Sequence, residues 1–209
     1  SQIDLVACAL PDHAAMAALE GPFPLICRRV GHSQSGLVLN NLSSLDLKRL
    51  NFYEGGFDYS LRRETVSNGQ VVDVYFPPKN GVNPDGLWVL QAWEDTWAAM
   101  SVIAAREVMS FFGERSAADI VRMFPMIRSR AAANLNALSS KHGSTTLKGD
   151  VEVLKKTREY TEFFALDAFE LKHERFDGTK TSTLQRAVFV GTDAAILLPF
   201  DAKRDRVLL

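Results

Sequence analysis

LSSLDLKRLNFYEGGFDYSLRRETVSNGQVVDVYFPP, residues 42–78, is the stretch whose reading decides the fold of the first half. Ser43 or Ser44 is a helix cap, and Leu45, Leu47, Leu50 and Phe52 supply an imperfect apolar stripe. Gly55–Gly56 ends that helix. DYSLRRETV and QVVDVYFPP then alternate in the manner of half-buried strands. Between them lies Ser67–Asn68–Gly69, and Asn-Gly takes the positive φ that a tight hairpin turn needs. A helix running into a β-hairpin is expected.

Upstream, residues 2–10 (QIDLVACAL) read as a buried strand. Pro11–Asp12 is a turn signal, and DHAAMAALEG reads as a short helix capped by Asp12 and stopped by Gly21–Pro22. Residues 23–30 and 36–40 are expected as two further strands.

Downstream, Pro77, Pro78 and Gly81 through Gly86 read as a loop. From Trp88 to Ser140 the period is helical. LQAWEDTWAAMSVIAAREVMSFFG is expected as one long helix, bent near Ala92 and ended by Gly113. SAADIVRMFPMIRSRAAANLNALSS is a second, capped by Ser116 and kinked or broken at Pro125. The polar residues 139–150 form the best linker, and VEVLKKTREYTEF reads as the start of a charged helix. FFALDAFELKHERF, LQRAVFVG and AAILLPFDAKRDRVLL then alternate like an antiparallel meander. The last run stops in mid-strand at Leu209, which predicts that the natural chain continues.

Of the 209 residues, 46% are hydrophobic and 23% charged, an ordinary balance for a globular protein with a core. The net charge of −1 offers no basic excess for nucleic acid or an anionic membrane. Cys8 and Cys27 cannot form a disulfide framework, and no Cys/His cluster has zinc spacing. With no signal-peptide pattern and no apolar span, a reducing cytoplasm is the expected compartment.

Glu54 is the leading chemical candidate. It follows Phe52–Tyr53 at a helix end and precedes two glycines, so its carboxylate is expected to be partly buried beside a bare backbone. That arrangement suits a general acid/base. The competing expectation is a solvated glutamate. Tyr53, Phe57, Tyr59, Tyr75 and Phe76 are expected to serve the core first and a pocket second. Trp88, Trp93 and Trp97 read as anchors of the helix they lie on or beside, and Arg128 and Arg130 as a charged face. His13, His32, His142 and His173 have no ligand or triad spacing. Nucleotide-binding glycine loops and a G-x-S-x-G elbow are absent.

In Leu45–Asp46, Glu54–Gly55, Tyr59 and Tyr75, the order and spacing resemble the γ-glutamylcyclotransferase/AIG2-like family. The resemblance covers about residues 2–100, with a helical extension to 140. It implies a small mixed β-barrel or sheet, and Glu54 as the acid/base that moves a proton as a γ-glutamyl α-amine attacks its own side-chain carbonyl. The family's Tyr-Gly-Ser/Thr-Leu loop, which cradles the γ-glutamyl carboxylate, falls on Ala7–Cys8–Ala9–Leu10, where only Leu10 matches. The implied substrate-binding set is therefore Ala7, Cys8, Ala9, Leu10, Tyr59 and Tyr75.

Toward the C-terminus, Arg175–Gly178, Arg186, Asp193–Ala194, Leu198-Pro-Phe-Asp and Arg204-Asp-Arg-Val-Leu-Leu resemble the opening of a Nudix hydrolase of the ADP-ribose pyrophosphatase type. The glutamate-bearing box that holds Mg²⁺ in that family does not occur in residues 1–209. No cofactor is therefore expected for residues 1–209, with Mg²⁺ expected only in a missing catalytic part.

The sequence thus predicts an α+β chain: residues 1–140 a cyclotransferase-like domain, 141–156 a linker and helix, and 157–209 the first β segment of a Nudix domain. Two functions follow. One is an enzyme releasing 5-oxoproline from a γ-glutamyl amine or peptide. The other is a degenerate module that dimerises or positions the Nudix domain. A small γ-glutamyl molecule and a second copy of the chain are the expected partners, with neither nucleic acid nor membrane. A third reading is an unrelated α/β binding protein.

Overall fold

Alternating aliphatic residues near the N-terminus build a long hairpin. The computed structural model describes residues 3–139, 149–194 and 197–207. Strand β1 (Asp4–Ala18) pairs antiparallel with β2 (Gly21–Asn40) along most of their length. DHAAMAA, residues 12–18, is therefore strand, and Leu19–Glu20 a turn, not the helix the alanines suggest. Its pairing on both sides, to β2 and to β5 (Pro84–Leu87), overrides the weak helical preference of alanine. Residues 23–30 and 36–40 belong to one strand rather than two. The irregularity lies at Asp12, where a single residue of β1 faces the excursion between Arg28 and Ser33 of β2. Asp12 (φ 55) and Gly31 (φ 81) take left-handed backbone there, and the Asp12 carboxylate accepts the Gly31 N–H at 2.9 Å. The expected loop at 81–86 likewise ends in β5, which completes a three-stranded sheet of order β2-β1-β5.

Helix α1 (Ser44–Glu54) begins with Ser43 and Asp46 capping each other's backbone N–H. It tightens into a 3₁₀ turn at Gly55–Phe57, and Asp58 (φ 58) then turns the chain into β3 (Ser60–Thr65). β3 pairs with β4 (Val71–Phe76) as the sequence predicts, with Gly69 at φ 83 in the turn. This hairpin packs across the first sheet: Val66, with Val72 and Val74, meets Leu10 and Val38, with Cys8 and Ile26. Its tip is fastened by Ser67, which donates its N–H to the Ala9 carbonyl at 2.8 Å and accepts the Ala9 N–H at 3.0 Å. The hairpin stays a separate two-stranded sheet, so among the described residues no closed barrel forms.

Short helix α2 (Leu90–Trp93) continues through a π-helical segment (Glu94–Ala98) into α3 (Ala99–Ser110). Met100, Ala104 and Val108, spaced by four, form its buried stripe. Ser116 and Asp119 form a second capping box ahead of α4 (Ala117–Ser139), which runs through Pro125 without a break. Ile120, Met123 and Ile127 make its buried face.

Two compact units are present, Ser1–Arg128 and Ser129–Leu209. The expected linker falls largely on residues 140–148, outside the described residues. The expected helix beyond it is a strand, β6 (Val151–Thr161). It pairs with β7 (Ala165–His173), and Lys156 and Arg158, two residues apart, lie on one face of it. β7 pairs in turn with β8 (Leu184–Val190), giving the antiparallel meander β6-β7-β8. Two-residue strands β9 (Phe200–Asp201) and β10 (Arg206–Val207) form a small separate hairpin.

Candidate functional site

Glu54 ends α1 half-buried in the first unit. Burial raises its carboxyl above the usual carboxylate range. Among the described residues nothing donates a hydrogen bond to it. Tyr53, Tyr59 and Tyr75 lie within its electrostatic reach, and each phenol is pushed up, first by burial and then by the Glu54 charge. The Tyr75 hydroxyl donates to Asn51 Oδ1, three residues before Glu54 on the same helix face. The site is thus a carboxylate that holds its proton more readily than an exposed one, with three phenols that feel its charge.

The two glycines after Glu54 do different things. A Cβ on Gly55 would meet nothing within 4 Å, so the backbone beside the carboxylate is open. A Cβ on Gly56 would come within 2.6 Å of the Ala117 carbonyl oxygen and 2.4 Å of Val121 Cγ2. Gly56 therefore serves the close seating of this turn on α4, not ligand access. Phe57 stacks edge-on against Phe124 of α4, with centroids 5.1 Å apart, and fixes the turn further.

Of the residues implied by the resemblance, Glu54, Tyr59 and Tyr75 come together. Ala7–Cys8–Ala9–Leu10 forms part of β1, opposite Leu37–Gly36–Ser35–Gln34. Leu10 is buried, Cys8 packs against the same aliphatic cluster, and the Ala9 N–H is held by Ser67 Oγ. Sequence reasoning did not single out Asn51, whose signal is its three-residue spacing from Glu54. Arg128 was read as a charged face. It is half-buried and lies over the Trp97 ring, 5.5 Å from the centroid, and its charge reaches Tyr53.

Among the described residues of the second unit the buried polar groups are Arg130, Thr161 and Asp167. Arg130 donates to the carbonyls of Glu162 and Phe163, each at 3.2 Å, and to Thr161 Oγ1. Asp167, 2% exposed, pairs with Lys156 at 2.9 Å and with Arg158. Burial pushes its carboxyl up, but the hydrogen bonds and charges of Arg158 and Lys156 outweigh burial and hold it below the usual range. Among the described residues no three His, Cys, Asp or Glu side chains gather to hold a metal ion. No described helix is long and apolar enough to cross a membrane.

Part of the chain is similar to bacterial ADP-ribose pyrophosphatases. Those of Escherichia coli K12, Escherichia coli O157:H7 and Shigella flexneri are each 40% identical to it over 62 residues. The match covers 30% of this chain, and the chain spans 30% of the length of those relatives. No family model matches the chain, and no solved structure matches it.

Proposed function

We propose that the first unit is a γ-glutamylcyclotransferase-like domain in which Glu54 transfers protons, joined to a segment of an ADP-ribose pyrophosphatase-like Nudix protein. The observation that carries the first part is the half-buried carboxyl of Glu54, raised by burial among Tyr53, Tyr59 and Tyr75. In the proposed reaction the α-amine of a γ-glutamyl group attacks its own γ-carbonyl. A C–N bond closes the five-membered ring of 5-oxoproline, and the bond to the leaving amine breaks. Glu54 takes the proton from the attacking nitrogen and returns it to the departing one. A carboxyl raised toward neutrality is suited to both halves of that transfer. Ring closure within one molecule asks mainly for positioning, so few groups suffice.

The test is 5-oxoproline release from a panel of γ-glutamyl peptides and amines by the wild-type chain and by Glu54→Gln. Release by wild type, reduced about 100-fold or more in the variant, is expected for loss of a general acid/base. No release by wild type across the panel would sink the cyclotransferase reading.

One observation favours the second reading, a non-catalytic module. The Ala9 N–H, within the stretch aligned with the family's carboxylate cradle, is held by Ser67 Oγ at 3.0 Å. A module that dimerises or positions a Nudix domain needs no such donor. For the Nudix part, support comes from the 62-residue similarity and from the meander β6-β7-β8. Mg²⁺ enters this reading only through residues other than those described, since no described cluster of acidic side chains could hold it.

A further inference from the structure

We propose that residues 35–39 of β2 are a self-pairing edge, at which a second copy of this chain adds its own β2 antiparallel across a two-fold axis through Leu37. The surface is separate from Glu54 and independent of any chemistry there. β2 is an outer strand of the sheet β2-β1-β5 and is paired along one edge only, to β1. The direction of its backbone groups follows from Ala9. Ser67 accepts the Ala9 N–H through Oγ at 3.0 Å and donates its own N–H to the Ala9 carbonyl at 2.8 Å. Both Ala9 groups therefore point away from β2, and Ala9 and Ser35 face each other without exchanging ladder bonds. Such pairs recur at every second residue, so Ala7–Leu37 and Leu5–Leu39 are of the same kind. The N–H and C=O groups of Ser35, Leu37 and Leu39 thus point out of the free edge. Among the described residues the Ser35 carbonyl accepts the Gln34 side chain at 3.0 Å, and the remaining groups of this set meet no donor or acceptor.

Free edges template pairing and are ordinarily guarded by charge, proline or a bulge. The other edge strands follow that rule, with Arg62 in β3, Asp73 in β4, Pro84 in β5, Lys155 in β6 and Arg186 in β8. SQSGLVLN, residues 33–40, has neither charge nor proline, and its register with Asp4–Pro11 is unbroken. An uncharged edge does not repel its own copy, and it gives a charged partner nothing to pair with. Its spacing is also self-complementary. With Leu37 on the axis, Leu37 faces its counterpart, and Ser35 of each copy faces Leu39 of the other. Each of these pairs sets outward N–H against outward C=O. Leu5, Leu37 and Leu39, all exposed on the face away from the Leu10–Val38 cluster, then meet their counterparts in one apolar stripe. The edge is shorter than the roughly 20–30 residues a side of a standard interface, so the dimer is weak and reversible.

The experiment is sedimentation velocity of the full 209-residue chain from about 1 to about 300 µM, with amide exchange measured at both ends of that range. Wild type is expected to pass from the 23.2 kDa monomer to a dimer. The Ser35, Leu37 and Leu39 amides should slow about tenfold or more, while Gly36 and Val38, already bonded to β1, stay within a few-fold. Leu37→Lys sets two ammonium groups on the axis and should weaken the dimer about tenfold or more. Leu37→Thr keeps the edge uncharged and should dimerise within a few-fold of wild type. Leu37 is 60% exposed, so both variants keep the monomer fold, and unchanged Gly36 and Val38 amides verify it. A wild type that stays monomeric at the highest concentration overturns the proposal and leaves this edge to a strand of another protein. A dimer that Leu37→Lys does not weaken also overturns it, as does one whose Ser35, Leu37 and Leu39 amides exchange as in the monomer, because either places the contact elsewhere.

Discussion

Between Ser1 and Arg128 the most deeply buried side chains are Leu25, Val108 and Ile127; between Ser129 and Leu209 the buried set holds Arg130, Thr161 and Asp167 beside Ala131 and Ala165. The large apolar residues of the second unit are mostly exposed, Phe163, Phe189 and Phe200 each by more than half. The first unit is therefore held by apolar burial between a hairpin, a sheet and two helices, and its half-buried carboxyl Glu54 has no cationic partner at ion-pair distance among the described residues. The second is held by strand pairing and by polar staples, and its desolvated carboxylate, Asp167, has two cationic partners. Two acids in one chain thus shift in opposite directions. The unit with surplus apolar packing can sustain an unfavourable charge at a site, while the unit without it uses charge as structure.

The largest effect should come from removing that structural charge. Lys156→Met with Arg158→Met leaves the 2%-exposed Asp167 carboxylate without either cation. A stranded buried charge costs about 3–5 kcal/mol. Amide exchange along β7 should accelerate accordingly, with α3 amides as the internal comparison. The same staple sets a pH dependence. Asp167 is held below its unfolded value, so its contribution is present above about pH 4 and is lost as pH falls through the lowered folded value. Unchanged β7 exchange in the double variant would show that the staple contributes nothing.

A middle-sized effect separates the two glycines. Gly56→Ala drives a methyl into the Ala117 carbonyl and Val121, and overpacking of that kind costs about 1–3 kcal/mol. Gly55→Ala has open space and an ordinary helical φ of −67, so its urea midpoint should stay within about 0.5 kcal/mol of wild type. If both alanines behave alike, the turn after Glu54 is not seated on α4 as described.

What could be read in advance follows the same division between local and non-local causes. The helix cap at Ser43, the Asn68–Gly69 hairpin and the helix cap at Ser116 are set within a few residues, and each stands where the sequence puts it. The helix expected at 12–20 and the charged helix expected at 151–163 are strands because their partners, β2 with β5 and β7, lie elsewhere in the chain. Alanine and lysine report helix propensity, which strand pairing overrides, on both edges of β1 and on the one paired edge of β6. Of the small mixed β-barrel or sheet that the resemblance implies, open antiparallel sheets are what the described residues form: the Ser67 tip clasps Ala9 and the β3–β4 hairpin remains its own sheet. At the site, Glu54 was legible because helix end, aromatics and glycines adjoin it. Asn51, which accepts the Tyr75 hydroxyl, was not, because that contact joins positions 24 apart in the chain.

The smallest effect bears on Glu54 itself, and its sign opposes that of Asp167. Folding raises the Glu54 carboxyl, so the folded state disfavours its ionised form. That penalty is absent below the unfolded value of about 4.3, grows as pH rises, and is complete above the raised folded value. Glu54→Gln removes the charge and keeps the shape. Melting followed at α1 should therefore show the variant equal to wild type near pH 3 and somewhat more stable near pH 7, while β7 amides in both proteins weaken toward acid. A variant less stable than wild type at pH 7 would mean that the ionised carboxylate makes a favourable contact. Glu54 would then be a structural charge of the Asp167 kind, and the contrast between the two units would disappear.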